Sequence, residues 1–351
     1  MEQRSRAVVA GAGIVGIFLL VQVGTLAMVE PFQSAGLQPD VDHGDPTNSL
    51  LYIGAILVAT VLLLAAFRLD IDNVVRAFIV VSGAYVSVFV FRILLPPLVA
   101  PGGIHALAWA AGGALGLALW FYPEWYVVDA AGVLMGIGAA ALFGITFGIL
   151  PALVLLVVLA VYDAISVYGT EHMLTLASGV MEMRVPIVLV IPLSLDYSFL
   201  DAELPTAVQD EGDPAAGASA DAPEGEPDEP PGGRGADFEG PEAAGGPLER
   251  DALFIGLGDA VIPTVLVASA GFFSPASVPR LGVPGLALTL PAATAMVGTL
   301  AGLVVLLWMV LKGRAHAGLP LLNGGAILGY LAGALASGLS LSAALGLSGV
   351  L

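Results

Sequence analysis

LVLLVVLAVYDAISVYG, residues 153–169, and ALFIGLGDAVIPTVLVASAGFF, residues 252–273, decide how this chain is read. Each is an apolar run with one aspartate well inside it. Asp163 follows eight apolar residues, Leu153 to Ala160, and seven residues separate Asp259 from Asp251 at the edge of its run. Runs of about 20 apolar residues match the ~30 Å hydrocarbon core of a bilayer. A carboxylate carried into that core costs at least ~2.5–3.5 kcal/mol. Two such acids on different spans mark a functional centre.

The rest of the composition agrees. The 351 residues are 58% hydrophobic and 11% charged, with mean hydropathy +0.93, whereas a soluble domain is nearer a quarter charged. Cysteine is absent, which removes disulfides, thiolate metal sites and cysteine nucleophiles. Nine stretches approach span length: Ala7–Val29, Leu50–Phe67, Ala77–Val99, Ile104–Tyr122, Val127–Ile149, Ala152–Gly169, Ala252–Phe273, Leu286–Leu311 and Leu319–Leu339. The first is too long for a signal peptide. The expected fold is an all-α polytopic membrane protein with nine transmembrane helices.

The formal charge of −18 is concentrated. Leu193–Asp251 holds 16 acids against Arg234 and Arg250, so the remaining chain carries only −4. That Pro-, Gly- and Ala-rich segment is too poor in large apolar residues to offset its ordering entropy. It reads as a disordered acidic loop between the sixth and seventh spans. The expected division is residues 1–192, a six-helix part; 193–250, the loop; and 251–351, a three-helix part. With the N-terminus inside, the inner face receives Arg4, Arg6, Arg68, Arg76, Lys312 and Arg314, and the outer face Arg280. That bias sets a cytoplasmic N-terminus, a cytoplasmic loop and an extracellular C-terminus. One lysine against ten arginines, with acids dominating the exposed segment, suits the salt-rich cytoplasm of a halophilic archaeon.

The sixth helix runs inward and the seventh outward, so Asp163 and Asp259 reach a common level near the loop side. Two carboxylates ~3 Å apart cannot both ionise. The ionised one can deprotonate water while the protonated one polarises a peptide carbonyl; which does which is open at this stage. Asp129, Glu124, Glu171 and Glu182 fall at span ends, within reach of water or headgroups. Gly256 sits at i−3 from Asp259, and with Gly258 leaves room for another backbone. Tyr162 offers a phenol beside Asp163. Pro320-Leu321-Leu322 opens the ninth span with a poorly helical entrance.

Tyr162-Asp163, Gly256-Leu257-Gly258-Asp259 and Pro320-Leu321-Leu322 together resemble the Tyr-Asp, Gly-x-Gly-Asp and Pro-Ala-Leu motifs of the presenilin and signal-peptide-peptidase family, in particular its archaeal members. Leu321 stands where that family usually has Ala. The resemblance covers essentially the whole chain, including the nine spans and the long loop. It implies an intramembrane aspartyl endopeptidase that cuts within transmembrane segments of membrane proteins or signal-peptide remnants. Asp163 and Asp259 would be the catalytic pair, and Tyr162, Gly256, Leu257, Gly258, Pro320, Leu321 and Leu322 the substrate-binding set. Single-span membrane proteins in the bilayer are the implied partners, with no metal, organic cofactor or nucleic acid.

A helical substrate hides its carbonyls in its own hydrogen bonds and must first unwind. Val185–Pro192 is β-branched, apolar and bounded by prolines, so it favours extended structure, and it is the expected strand on which an unwound substrate would pair. The competing class is a proton- or cation-coupled transporter using the same two acids, against which no interrupted helices recur in matching halves. Three other patterns dissolve. Gly11-Ala12-Gly13-Ile14-Val15-Gly16 lies inside a span without a preceding strand. His43, His105, His172 and His316 are scattered with no zinc-protease spacing, and Gly338-Leu339-Ser340 has no mid-span histidine to serve as its base. The four-residue glycine repeats, Gly325-Gly329-Gly333 and Gly112-Gly116, read as close helix-packing faces.

Overall fold

The computed structural model describes residues 3–40, 43–69, 71–98, 105–169, 184–194, 197–200, 252–312 and 317–347. The acidic segment expected to be disordered lies almost wholly outside the described residues, as do Glu171, His172, Glu182, Arg314, His316 and the last four residues.

The helices are α1 Gln3–Ser34, α2 Thr47–Arg68, α3 Asp72–Leu94, α4 Ala106–Phe121, α5 Trp125–Thr146, α6 Ile149–Gly169, α7 Leu257–Phe273, α8 Leu290–Leu311, α9 Gly318–Ala336 and the single turn α10 Leu341–Ala344. Six of them contain stretches long and apolar enough to cross a membrane: Val8–Ser34, Asn73–Leu94, Trp125–Thr146, Ile149–Val167, Leu290–Leu311 and Gly318–Ala336. Thr47–Leu63, Ala106–Phe121 and Leu257–Phe273 are shorter apolar helices.

Three of the boundaries that differ from the sequence reading do so for local reasons. α3 stops at Leu94 instead of Val99, because Leu95 precedes Pro96 and takes an extended conformation at ψ 140°. α5 stops at Thr146, where Phe147 turns extended at ψ 120°. α9 ends at Ala336, and Gly338 at φ 83° reverses the chain into α10, where Tyr330 Oη donates to Ala344 O at 2.7 Å.

The larger correction concerns the all-α class. Val188–Pro192 forms strand β1 and Ala252–Gly256 forms β2, paired antiparallel with Val190 opposite Phe254. The seventh expected span, Ala252–Phe273, is therefore a strand running straight into a helix. Its β-branched and aromatic partner residues explain the pairing. One face of the sheet packs Leu189, Ile191, Leu253 and Ile255 on Ile14 and Phe18 of α1 and Leu257 of α7. The other face joins Val190, Ala252 and Phe254 to Leu119, Val128 and Phe199.

Glycines set the closest helix contacts. Gly298 and Gly302 of α8 face the backbones of Gly325 and Leu321 on α9, and Gly329 faces that of Thr294. Gly112 and Gly116 bring α4 onto Val88 and Ala84 of α3. A Cβ at Gly325 would collide with the Gly298 carbonyl oxygen. Gly325→Val therefore has to push α8 and α9 apart, at a cost of about 1–3 kcal/mol or more. Thermal unfolding in detergent should show a clearly lowered midpoint; an unchanged one would contradict this packing.

Candidate functional site

α6 carries Asp163 and α7 carries Asp259, and both reach the N-terminus of α9. The Leu319 amide donates to Asp163 Oδ2 at 3.1 Å. At the preceding residue, a Cβ built on Gly318 would lie 3.4 Å from Asp259 Oδ2 and 3.7 Å from its Cγ. Consecutive residues of one helix end thus lie beside the two carboxyl groups. A helix N-terminus presents unpaired amides and a positive dipole end, which suits anionic oxygen. Asp163 is 7% exposed and Asp259 half-buried. A further tie fixes α9 on α6: Asn323 Nδ2 donates to Leu156 O at 2.9 Å.

The other expected site residues divide. Gly256 closes β2 at ψ 132° and is not on a helix face with Asp259; a Cβ there would lie 3.5 Å from Asp259 Oδ2. Gly258 is exposed in the first turn of α7. Leu257, 5% exposed, packs into the core with Leu189 and Phe18, and Leu322 is fully buried beside Leu303. Pro320 and Leu321 are half-buried, and Tyr162 is exposed. The backbone positions Gly318 and Leu319 were not singled out in the sequence, since an amide carries no side-chain signature.

The sheet has unequal edges. Val190 N donates to Asp129 Oδ1 at 2.7 Å, away from β2. Val190 and Phe254 are therefore a non-hydrogen-bonded pair, and the N–H and C=O of Phe254 point away from β1. Leu257 N donating to Ile187 O at 2.7 Å fits the same alternation. Among the described residues no backbone hydrogen bond reaches that outer edge of β2. Leu189, Val190 and Ile191 are buried, whereas Leu253 to Gly256 are half-buried. Among the described residues the open edge is therefore that of β2, and it leads directly to Asp259. The expectation that Val185–Pro192 offers its own edge to a substrate meets an occupied group there, since the outward Val190 amide is taken by Asp129.

Asp129 and Glu124, expected at wet span ends, are 8% and 7% exposed. Among the described residues no cluster of three or more His, Asp or Glu side chains could hold a metal ion.

The profile of the family described as "Signal-peptide peptidase, presenilin aspartyl protease" matches residues 15–339. Two solved structures are similar over nearly the whole chain. "Structure of a presenilin family intramembrane aspartate protease in C222 space group" has 31% identity and TM-score 0.59, covering 93% of this chain and 99% of that one. Its counterpart in the P2 space group has 32% identity and TM-score 0.57, covering 92% and 97%. Among curated protein sequences none matches.

Leu319→Pro removes the amide donor to Asp163 at a first-turn position that tolerates proline. A hydrogen bond to a charged group contributes about 1.5–3 kcal/mol, so the variant should unfold at a somewhat lower temperature and, where still folded, lose roughly 10–100-fold in kcat. Undiminished kcat would contradict a working role for that amide.

Proposed function

This chain belongs to the signal-peptide peptidase and presenilin family of aspartyl proteases, and on that premise we propose that Asp163 and Asp259 are its catalytic dyad. It is an intramembrane aspartyl endopeptidase and a multi-pass membrane protein. The comparisons give no support to a transporter. The observation that carries the dyad is that two neighbouring residues lie beside the two carboxyl groups, the Leu319 amide bonded to Asp163 and Gly318 next to Asp259.

In the proposed reaction one carboxylate takes a proton from water as the water oxygen attacks the scissile carbonyl carbon. The other, protonated, donates a hydrogen bond to the carbonyl oxygen. Collapse of the tetrahedral intermediate passes a proton to the leaving amine and regenerates the pair. Because the Leu319 amide donates to Asp163, negative charge is better accommodated there than on Asp259. Asp163 is accordingly assigned the base and Asp259 the acid.

The substrate is an unwound stretch of another protein's transmembrane segment, single-span proteins being the simplest case. It adds to β2 as a third strand, bonding the outward groups of Phe254 and Gly256. Gly256 lies beside the Asp259 carboxyl, so the bond next to that register position is the one cut. Of the other motif residues, Gly258, Pro320 and Leu321 line the approach. Leu257 and Leu322, buried in the core, brace the two helix ends, and Tyr162, exposed on α6, faces the path from lipid. All nine long helices are assigned to the membrane, with the N-terminus and the 193–250 segment cytoplasmic and the C-terminus outside. The salt bridge between Glu30, in the last turns of α1, and Arg280, ahead of α8, at 3.4 Å brings the two outer ends together.

Two experiments follow. Asp163→Asn and Asp259→Asn should each abolish cleavage of a tagged single-span substrate in proteoliposomes while leaving the fold intact; residual turnover near wild type in either would sink the dyad. Phe254→Pro removes an outward amide without touching the β1 ladder, and should cut kcat/KM by at least about tenfold, the equivalent of one or two hydrogen bonds. Wild-type kcat/KM would refute strand addition on β2.

A further inference from the structure

Asp129 is a buried acid on a helix that carries neither member of the dyad, and backbone from far along the chain packs beside it. On α5 it shares a face with Gly132 and Gly136, three and seven residues on. A Cβ at Gly132 would lie 3.2 Å from Leu189 Cδ2 and 3.5 Å from Pro186 O, and one at Gly136 3.2 Å from Leu257 Cδ1. The segment from Pro186 to Val190 thus lies against bare helix backbone, with the Asp129 carboxylate bonded to the Val190 amide at its end. Glu124, just before α5, holds the chain beyond β1: Ser198 Oγ donates to its Oε1 at 2.7 Å and Phe199 N to its Oε2 at 2.9 Å. Both acids accept from polar groups of one segment.

We propose that Asp129 is a positioning residue that closes the outer edge of β1, so that an unwound substrate can add only to β2 and in a single register. A two-stranded sheet has two open edges, and either would template an apolar strand. Occupying the Val190 amide removes one of them. It also fixes the pleat of β1, and through the ladder the alternation of β2, whose outward groups set which substrate bond meets Asp259. A slip by one residue would turn every substrate side chain to the opposite face. Asp129 therefore acts on where the substrate is cut, through the sheet, without touching it. This rests on strand addition to β2.

The test reads cut position. Proteoliposomes of the full chain carrying Asp129→Ala, Asp129→Asn or Val190→Pro are given a tagged single-span substrate, and product termini are mapped by mass spectrometry. In Asp129→Ala the share of product from the wild-type bond should fall by half or more, with neighbouring bonds cut instead and KM raised more than kcat is lowered. Asp129→Asn keeps an oxygen acceptor and should restore the wild-type cut. Val190→Pro removes the donor and leaves the carboxylate, and should reproduce the spread even if Asp129→Ala fails to fold. A purely structural role would lower yield and stability without moving the cut, so an unmoved cut site in the folded variants overturns the proposal. If Phe254→Pro is impaired while those variants keep the wild-type cut, the clamp alone fails. If Phe254→Pro behaves as wild type, strand addition fails and the clamp with it.

Discussion

Two adjacent backbone positions, Gly318 against the Asp259 carboxyl and the Leu319 amide on Asp163 Oδ2, join the three helices that make this site. α6 and α7 each carry one acid within an apolar helix, and neither has its own means of placing it against the other. The N-terminus of α9 supplies that means. It can do so because α9 is locked against α8 by backbone contacts at Gly298, Gly302 and Gly325, and against α6 by Asn323 on Leu156 O. The absence of side chains at those glycines is what lets the helix end come close enough to reach both carboxyls.

The sheet follows from a second constraint. Non-helical backbone at membrane depth is tolerated only where it is buried in protein or lines a water-filled cavity. β1 meets the first condition, with β2 on one side and Asp129 on the other. The outward edge of β2, half-buried among the described residues, runs toward the carboxyls. On the proposed strand addition, substrate unwinding and hydrolysis share one place, since β2 runs without a break into the helix bearing Asp259.

The two aspartates were legible because an acid within an apolar run is energetically conspicuous. Six of the nine expected spans correspond to helices long and apolar enough to cross a membrane, because their lengths match a bilayer, and Gly325, Gly329 and Gly333 were read correctly as a packing face. The extended character of Val188–Pro192 was also visible in its β-branched residues and prolines. Its partner was not. Pairing between residues 188–192 and 252–256 joins segments some 60 residues apart, and nothing local in ALFIG separates a strand from the first turn of an apolar helix. Asp129 and Glu124 were read as solvated because linear position places them at a helix end, whereas the segment that covers them returns from far along the chain. The Gly318–Leu319 contacts are made by backbone, which leaves no mark in residue type.

The central claim is that both carboxyl groups act on one reacting centre. Calorimetric binding of a peptide isostere whose hydroxyl stands in for the hydrated scissile carbonyl tests it most directly. Transition-state mimics bind at least about 10²-fold tighter than substrate when the groups they need are in place. The account predicts that amidating either Asp163 or Asp259 weakens this binding severely and to a similar degree. Binding that survives intact when one of the two is amidated would contradict it.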